Sequence, residues 1–126
     1  MKGILVDTSV WVDHFRHRND ALVELLERDL VMAHPLVLGE IACGTPPNRD
    51  KTLSDLDRLQ STQQATVRET MAFIGRERLF GLGCGLIDIL LLASTMITPG
   101  TELWTLDKRL CALAERFGVK HGSFLH

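Results

Sequence analysis

Ile4-Leu5-Val6-Asp7-Thr8-Ser9 is the stretch whose reading decides the fold. Three consecutive apolar residues read as a short buried strand. They stop at Asp7, Thr8 and Ser9, all residue types that cap helices, so a helix is predicted over residues 10–16. The same alternation continues outward. Leu22, Leu25 and Leu26 form a helical stripe within residues 21–28, residues 30–33 read as a second strand, and Pro35 opens a helix running through Glu40 to Cys43. Residues 44–49 carry Pro46-Pro47 and form a loop. Amphipathic segments follow over 51–60, with Leu53, Leu56 and Leu59 at spacing three, and over 66–79. A turn over Gly81, Gly83 and Gly85 leads into an apolar helix over 86–96. A strand over 102–106, a helix over 108–117 and a short edge strand from Val119 complete the pattern. Strands alternating with helices predict an α/β fold, with a short central parallel sheet flanked by helices on both faces. With no repeat and no linker, residues 1–126 read as a single domain.

Four carboxylates stand within the apolar runs. Asp7 ends the first strand, Glu40 sits among Leu36, Ile41 and Cys43, Asp88 divides Leu86-Ile87 from Ile89-Leu90, and Asp107 follows Leu103-Trp104-Thr105-Leu106. Burying an unpaired carboxylate is costly, and no Lys or Arg interrupts these runs. A cation is the natural partner, and Mg²⁺ (or Mn²⁺) takes oxygen ligands of this kind. Asp7 and Asp107, each directly after a strand, should lie at the rim where open parallel sheets bind ligands. Taken singly, each has a plainer role. Asp7 and Asp107 would cap the helices that follow, and Asp88 would sit well at a helix start. Mid-helix Glu40 has the weakest structural explanation, and the joint pattern favours a metal site.

The segments Val6-Asp7-Thr8-Ser9-Val10-Trp11-Val12-Asp13, Gly39-Glu40-Ile41-Ala42-Cys43-Gly44, Asp88-Ile89-Leu90-Leu91-Leu92-Ala93-Ser94 and Leu103-Trp104-Thr105-Leu106-Asp107-Lys108-Arg109-Leu110 resemble the successive motifs of PIN-domain ribonucleases. The match is nearest to the VapC-type toxins of prokaryotic toxin–antitoxin pairs. The resemblance implies a PIN-like fold and a metal-dependent endoribonuclease. It makes Asp7, Glu40, Asp88 and Asp107 the acidic quartet, with Asp7 and Asp88 as metal ligands and Glu40 and Asp107 as further candidates. Thr8, Ser9 and Thr105 become the polar neighbours that orient ligands or water. It further implies an RNA substrate, an antitoxin protein partner and a homodimer. Lys108 and Arg109, beside Asp107, are the best candidates among the basic residues for RNA phosphates.

Composition is compatible with this. The chain has 14 basic and 16 acidic residues; setting the four acids aside leaves 12, turning the net charge from −2 to +2. Aromatic content is only 6% with no Tyr, so stacking platforms for bases are scarce. Cys43, Cys84 and Cys111 lack zinc or disulfide spacing and suit a reducing cytoplasm. The apolar stretch over 89–97 is too short to span a bilayer. His14 and His17, one helical turn apart, read as a solvated surface pair rather than metal ligands. Trp11 and Trp104 read as core residues.

Two other functions fit parts of the pattern. A phosphorelay receiver-like domain has similar layering and an acid cluster, but should carry paired acids after its first strand and a Lys closing a late one. Here Asp7 stands alone and the late strand ends in Asp107. A catalytically inactive binding module on the same fold would be expected to have lost at least one acid.

Overall fold

The computed structural model describes residues 3–122. In chain order its elements are β1 (Gly3–Val6), α1 (Thr8–Arg16), α2 (Asp20–Glu27), β2 (Val31–Ala33), α3 (Pro35–Ala42), α4 (Arg49–Asp57), β3 (Gln60–Ser61), α5 (Val67–Glu77), α6 (Leu86–Met96), β4 (Thr101–Trp104) and α7 (Lys108–Arg116). The strands form one sheet in the order β3-β2-β1-β4, with every pairing parallel. β1 is central, with Ile4, Leu5 and Val6 all buried. Leu5 stands opposite Met32 on one side and Leu103 on the other. Because all strands run one way, the residues just after β1 and β4 share a single rim. The backbone N–H of Asp7 continues that ladder by donating to the Trp104 carbonyl at 2.9 Å.

Local chemistry sets the helix starts. Asp7 caps α1, Asn19 caps α2 and Thr66 with Glu69 forms a reciprocal capping box at α5. Pro35 occupies the first turn of α3, whose cap is the imidazole of His34. α6 differs from the other helices: Ile89 through Thr95 are buried without a break, so it is a core helix rather than a surface one. It packs against α5, α7 and β4. Among the described residues no helix is long and apolar enough to cross a membrane.

The structure corrects several expectations. The segment over 51–60 is helical only to Asp57, and Gln60–Ser61 form a short exposed strand beside β2. Two polar exposed residues carry no apolar alternation, so nothing in their sequence marks a strand. β4 ends at Trp104 rather than at Leu106, because the Thr105 side chain turns to Asp7 and Leu106 is half exposed. Arg49 belongs to α4 instead of the preceding loop. The expected edge strand from Val119 is reduced to one parallel bridge between Leu103 and Lys120. Trp11 is in the core, whereas Trp104 is only partly buried against it. His14 is not a solvated partner of His17. It is half-buried beside Trp11 and Phe15, and its Nδ1 accepts from the Asn19 backbone N–H at 3.0 Å.

Candidate active site

Asp7 is 5% exposed and its neighbours hold it on one oxygen. Oδ2 accepts from Ser9 Oγ at 2.7 Å, from Thr105 Oγ1 at 2.8 Å and from the Ser9 backbone N–H at 3.4 Å. Those hydroxyls are themselves oriented. The Leu106 N–H donates to Ser9 Oγ at 3.0 Å, and the Asp107 N–H donates to Thr105 Oγ1 at 3.0 Å. This network joins the end of β1 to the end of β4. Among the described residues Asp7 Oδ1 takes no part in it. The carboxylate is thus pinned at one oxygen by three donors.

The other acids arrive from different elements and are less buried than their apolar surroundings predict. Glu40 lies on α3 and is exposed, and its Oε1 accepts from Thr8 Oγ1 at 2.5 Å. Asp107 is exposed and caps α7, with Oδ1 accepting from the Arg109 and Leu110 N–H groups at 2.9 and 3.0 Å. Asp88, in the first turn of α6, is half-buried. The expectation that all four acids sit within the apolar interior therefore holds for Asp7 alone. Glu40 projects from α3 away from buried Ile41, Leu86 and Ile87 before Asp88 are themselves exposed, and Asp107 follows the exposed Leu106 at the cap of α7.

Electrostatics tie the four into one unit. Burial raises the Asp88 carboxyl above the usual carboxylate range, and the charges of Asp7, Asp107 and Glu40 raise it further against a hydrogen bond from Gly85. Among the described residues no Lys or Arg forms an ion pair with any of the four. Nor do three of these side chains already meet as ligands at one point, since Glu40 is turned to Thr8 and Asp107 to its own helix. The donor set is nevertheless what a hard divalent ion requires: carboxylate oxygens held by hydroxyls, with no competing cation.

Two residues that the sequence reading missed place the acid-bearing helices. His34 Nδ1 accepts from the Leu36 N–H at 3.1 Å, which caps α3, and Nε2 lies 3.1 Å from Ser94 Oγ on α6. Ser94 Oγ also accepts from the Ala65 N–H at 3.0 Å. Burial lowers the pKa of His34, so the neutral ring with Nε2–H donating to Ser94 is favoured. The link joins the helix of Glu40 to the helix of Asp88. Its signals were a His directly before Pro35 and a Ser inside an apolar run. Beside Glu40 lies an open groove of about 420 Å³, lined in part by Val12, Phe15, Arg16, Ile41 and Pro46.

The repulsion at Asp88 has a measurable consequence. An acid whose folded pKa is raised contributes stability below its unfolded pKa, and that stability is lost as pH rises through the folded value. At neutral pH the ionised group is therefore unfavourable. Asp88→Asn is expected to raise the thermal midpoint in chelator by a few °C. A marked drop would instead identify Asp88 as a structural cap.

Comparison with known proteins agrees with this arrangement. The PIN domain family model matches residues 4–116. The chain belongs to the PIN-domain family. Over 116 residues, spanning 92% of this chain and 94% of the relative, it is 45% identical to Ribonuclease VapC32 of Mycobacterium tuberculosis (strain CDC 1551 / Oshkosh). It is equally similar to Ribonuclease VapC32 of strain ATCC 25618 / H37Rv, over the same shares of both chains.

Proposed function

We propose that this chain is a metal-dependent endoribonuclease, the toxin of a type II toxin–antitoxin pair, built as one PIN-like nuclease domain over residues 1–126 and acting on cytoplasmic RNA. The observation that carries the site assignment is Asp88, whose carboxyl is raised first by burial and then by the charges of Asp7, Asp107 and Glu40, while among the described residues no Lys or Arg pairs with any of the four. Similarity to Ribonuclease VapC32 over nearly the whole chain supports the activity. Asp7 and Asp88 hold the divalent ion, Mg²⁺ or Mn²⁺, and Glu40 and Asp107 complete the acidic ring.

Phosphodiester hydrolysis requires an activated water and a stabilised leaving oxygen. When bound, a divalent ion supplies positive charge for the phosphate and lowers the pKa of water. The chain's own residues supply order. Ser9 and Thr105 fix Asp7, Thr8 restrains Glu40, and the His34–Ser94 contact keeps the two acid-bearing helices in register. An acid of the ring that does not hold the ion can accept the proton of the attacking water.

The antitoxin places a basic side chain among the acids and an apolar segment in the groove beside Glu40, where Val12, Phe15 and Ile41 offer an apolar lining. An Arg suits that role because its guanidinium grips carboxylates with two parallel hydrogen bonds. The toxin itself works as a homodimer.

Total RNA incubated with the purified chain tests the enzymatic reading. Cleavage is expected with Mg²⁺ or Mn²⁺, to vanish in EDTA, and to return when either ion is added in excess. Full cleavage in EDTA would remove metal from the mechanism.

A further inference from the structure

Arg109 lies where a basic side chain would normally be drawn into an ion pair, yet it makes none among the described residues. Arg16, Arg58, Arg68 and Arg78 likewise make none among the described residues, whereas Arg18, Arg28, Arg49, Arg76 and Arg116 each pair with an acid, so it is the place of Arg109 beside Asp107 that sets it apart. Its backbone N–H donates to Asp107 Oδ1, which anchors the residue in the first turn of α7 beside the acids. Its exposed side chain then runs back over the glycine turn that leads into α6. A Cβ added at Gly83 would stand 2.7 Å from Arg109 Cδ and 2.9 Å from both Nε and Nη1. The guanidinium therefore rests directly on the Gly83 backbone.

Cys84 locates this seat relative to the acids. Burial raises its thiol pKa, Asp88 and Asp107 raise it further, and Arg109 opposes them. Arg109 and two members of the acidic ring thus act on the same thiol. The side chain packs against Gly83 and, among the described residues, pairs with neither acid, so its fork of donors faces no carboxylate.

We propose that Arg109 clamps an RNA phosphate next to the acidic ring, and that Gly83 is a positioning residue whose missing side chain gives Arg109 its seat. The assignment rests on the RNA-cleaving reading above and adds to it a specific route for the substrate backbone. A planar guanidinium with free donors recognises phosphate oxygens in pairs. Its charge also offsets the repulsion that the acids exert on an incoming polyanion. Gly83 adopts φ +86°, so the turn alone favours glycine, but so does Gly81 at φ +74°, where an added Cβ meets nothing within 4 Å. The two glycines therefore separate backbone strain from collision with Arg109.

The test measures binding of a short fluorescein-labelled single-stranded RNA of mixed sequence by anisotropy in Mg²⁺. Every variant is placed on Asp7→Asn so that the probe stays intact. Arg109→Ala is expected to weaken binding about tenfold and to lower the salt slope by about 0.7, the value for one contact to single-stranded phosphate. Arg109→Lys should recover part of the affinity but not all. Gly83→Ala should reproduce the Arg109→Ala loss, and the double variant should be no weaker than either single one. Gly81→Ala should stay within about twofold of the parent, with thermal melts showing that all variants fold. Unchanged affinity and salt slope in Arg109→Ala, or no binding by the parent, would overturn the clamp. Equal losses in Gly81→Ala and Gly83→Ala, or additive losses in the double variant, would overturn the seat. Cleavage of total RNA by the unsubstituted chain is scored separately. Its absence alongside an intact Arg109 effect would count against the nuclease reading and leave the clamp standing.

Discussion

Asp7→Asn is expected to lower RNA cleavage by roughly a thousandfold or more, about 4 kcal/mol of lost transition-state stabilisation. Asp88→Asn and Glu40→Gln should also cost orders of magnitude. The isosteric amide can still accept hydrogen bonds from Ser9 and Thr105, so Asp7→Asn should fold and melt as a single transition. What it loses is the charge that the cation needs. Asp107→Asn should be milder, because Asn caps helices nearly as well as Asp and this acid already spends Oδ1 on α7. Removing a supporting hydroxyl, as in Thr105→Ala, is expected to cost 10–100-fold by freeing Asp7 to rotate. Cleavage of total RNA by each purified variant, with a melt beside it, is the measurement. Wild-type activity in folded Asp7→Asn would show that the chemistry lies elsewhere.

The second large effect is on cells. Expression of this chain without a partner is expected to arrest bacterial growth, whereas Asp7→Asn at the same soluble level should not. The physical basis is the state of the acids. Glu40 and Asp107 are exposed, Asp88 is half-buried, and among the described residues no basic side chain neutralises them. Under the proposed function, restraint comes from a partner protein that supplies positive charge. Co-expression of a small open reading frame adjacent to this one should restore growth. Its product should lose that ability when the basic residue reaching the acids is replaced. Equal harmlessness of the active and Asp7→Asn chains would count heavily against the toxin assignment.

Much of the architecture was legible because apolar runs and capping residues agreed with each other. Ile4-Leu5-Val6 against Asp7-Thr8-Ser9 marked β1 and α1, and the helix over 86–96 coincides with α6. The third strand was not legible, since Gln60 and Ser61 become extended only through pairing with Met32 and Ala33. The acids could be picked out as residues but not as environments. An apolar run in a helix says only that one side is buried, and Glu40 emerges on the other; Asp107 is exposed because β4 has already ended at Trp104. Contacts between distant segments were invisible for a similar reason. Nothing at His34 names Ser94, and nothing in the glycine turn names Arg109.

The bond from Thr105 to Asp7 spans 98 positions of sequence. A chain emerging from the ribosome exposes Asp7 well before Thr105, so the partner that fixes it arrives only after most of the domain has been synthesised. Until β4 has docked on the free edge of β1, Asp7 lacks one of its two hydroxyl supports, and Asp107 is not yet beside it. Parallel pairing between distant segments is slow to form because the intervening chain must first be ordered. With Asp7 in the role proposed above, catalytic competence waits on the docking of β4. That delay gives an inhibitor made at the same time an interval in which to capture the enzyme before it can cut.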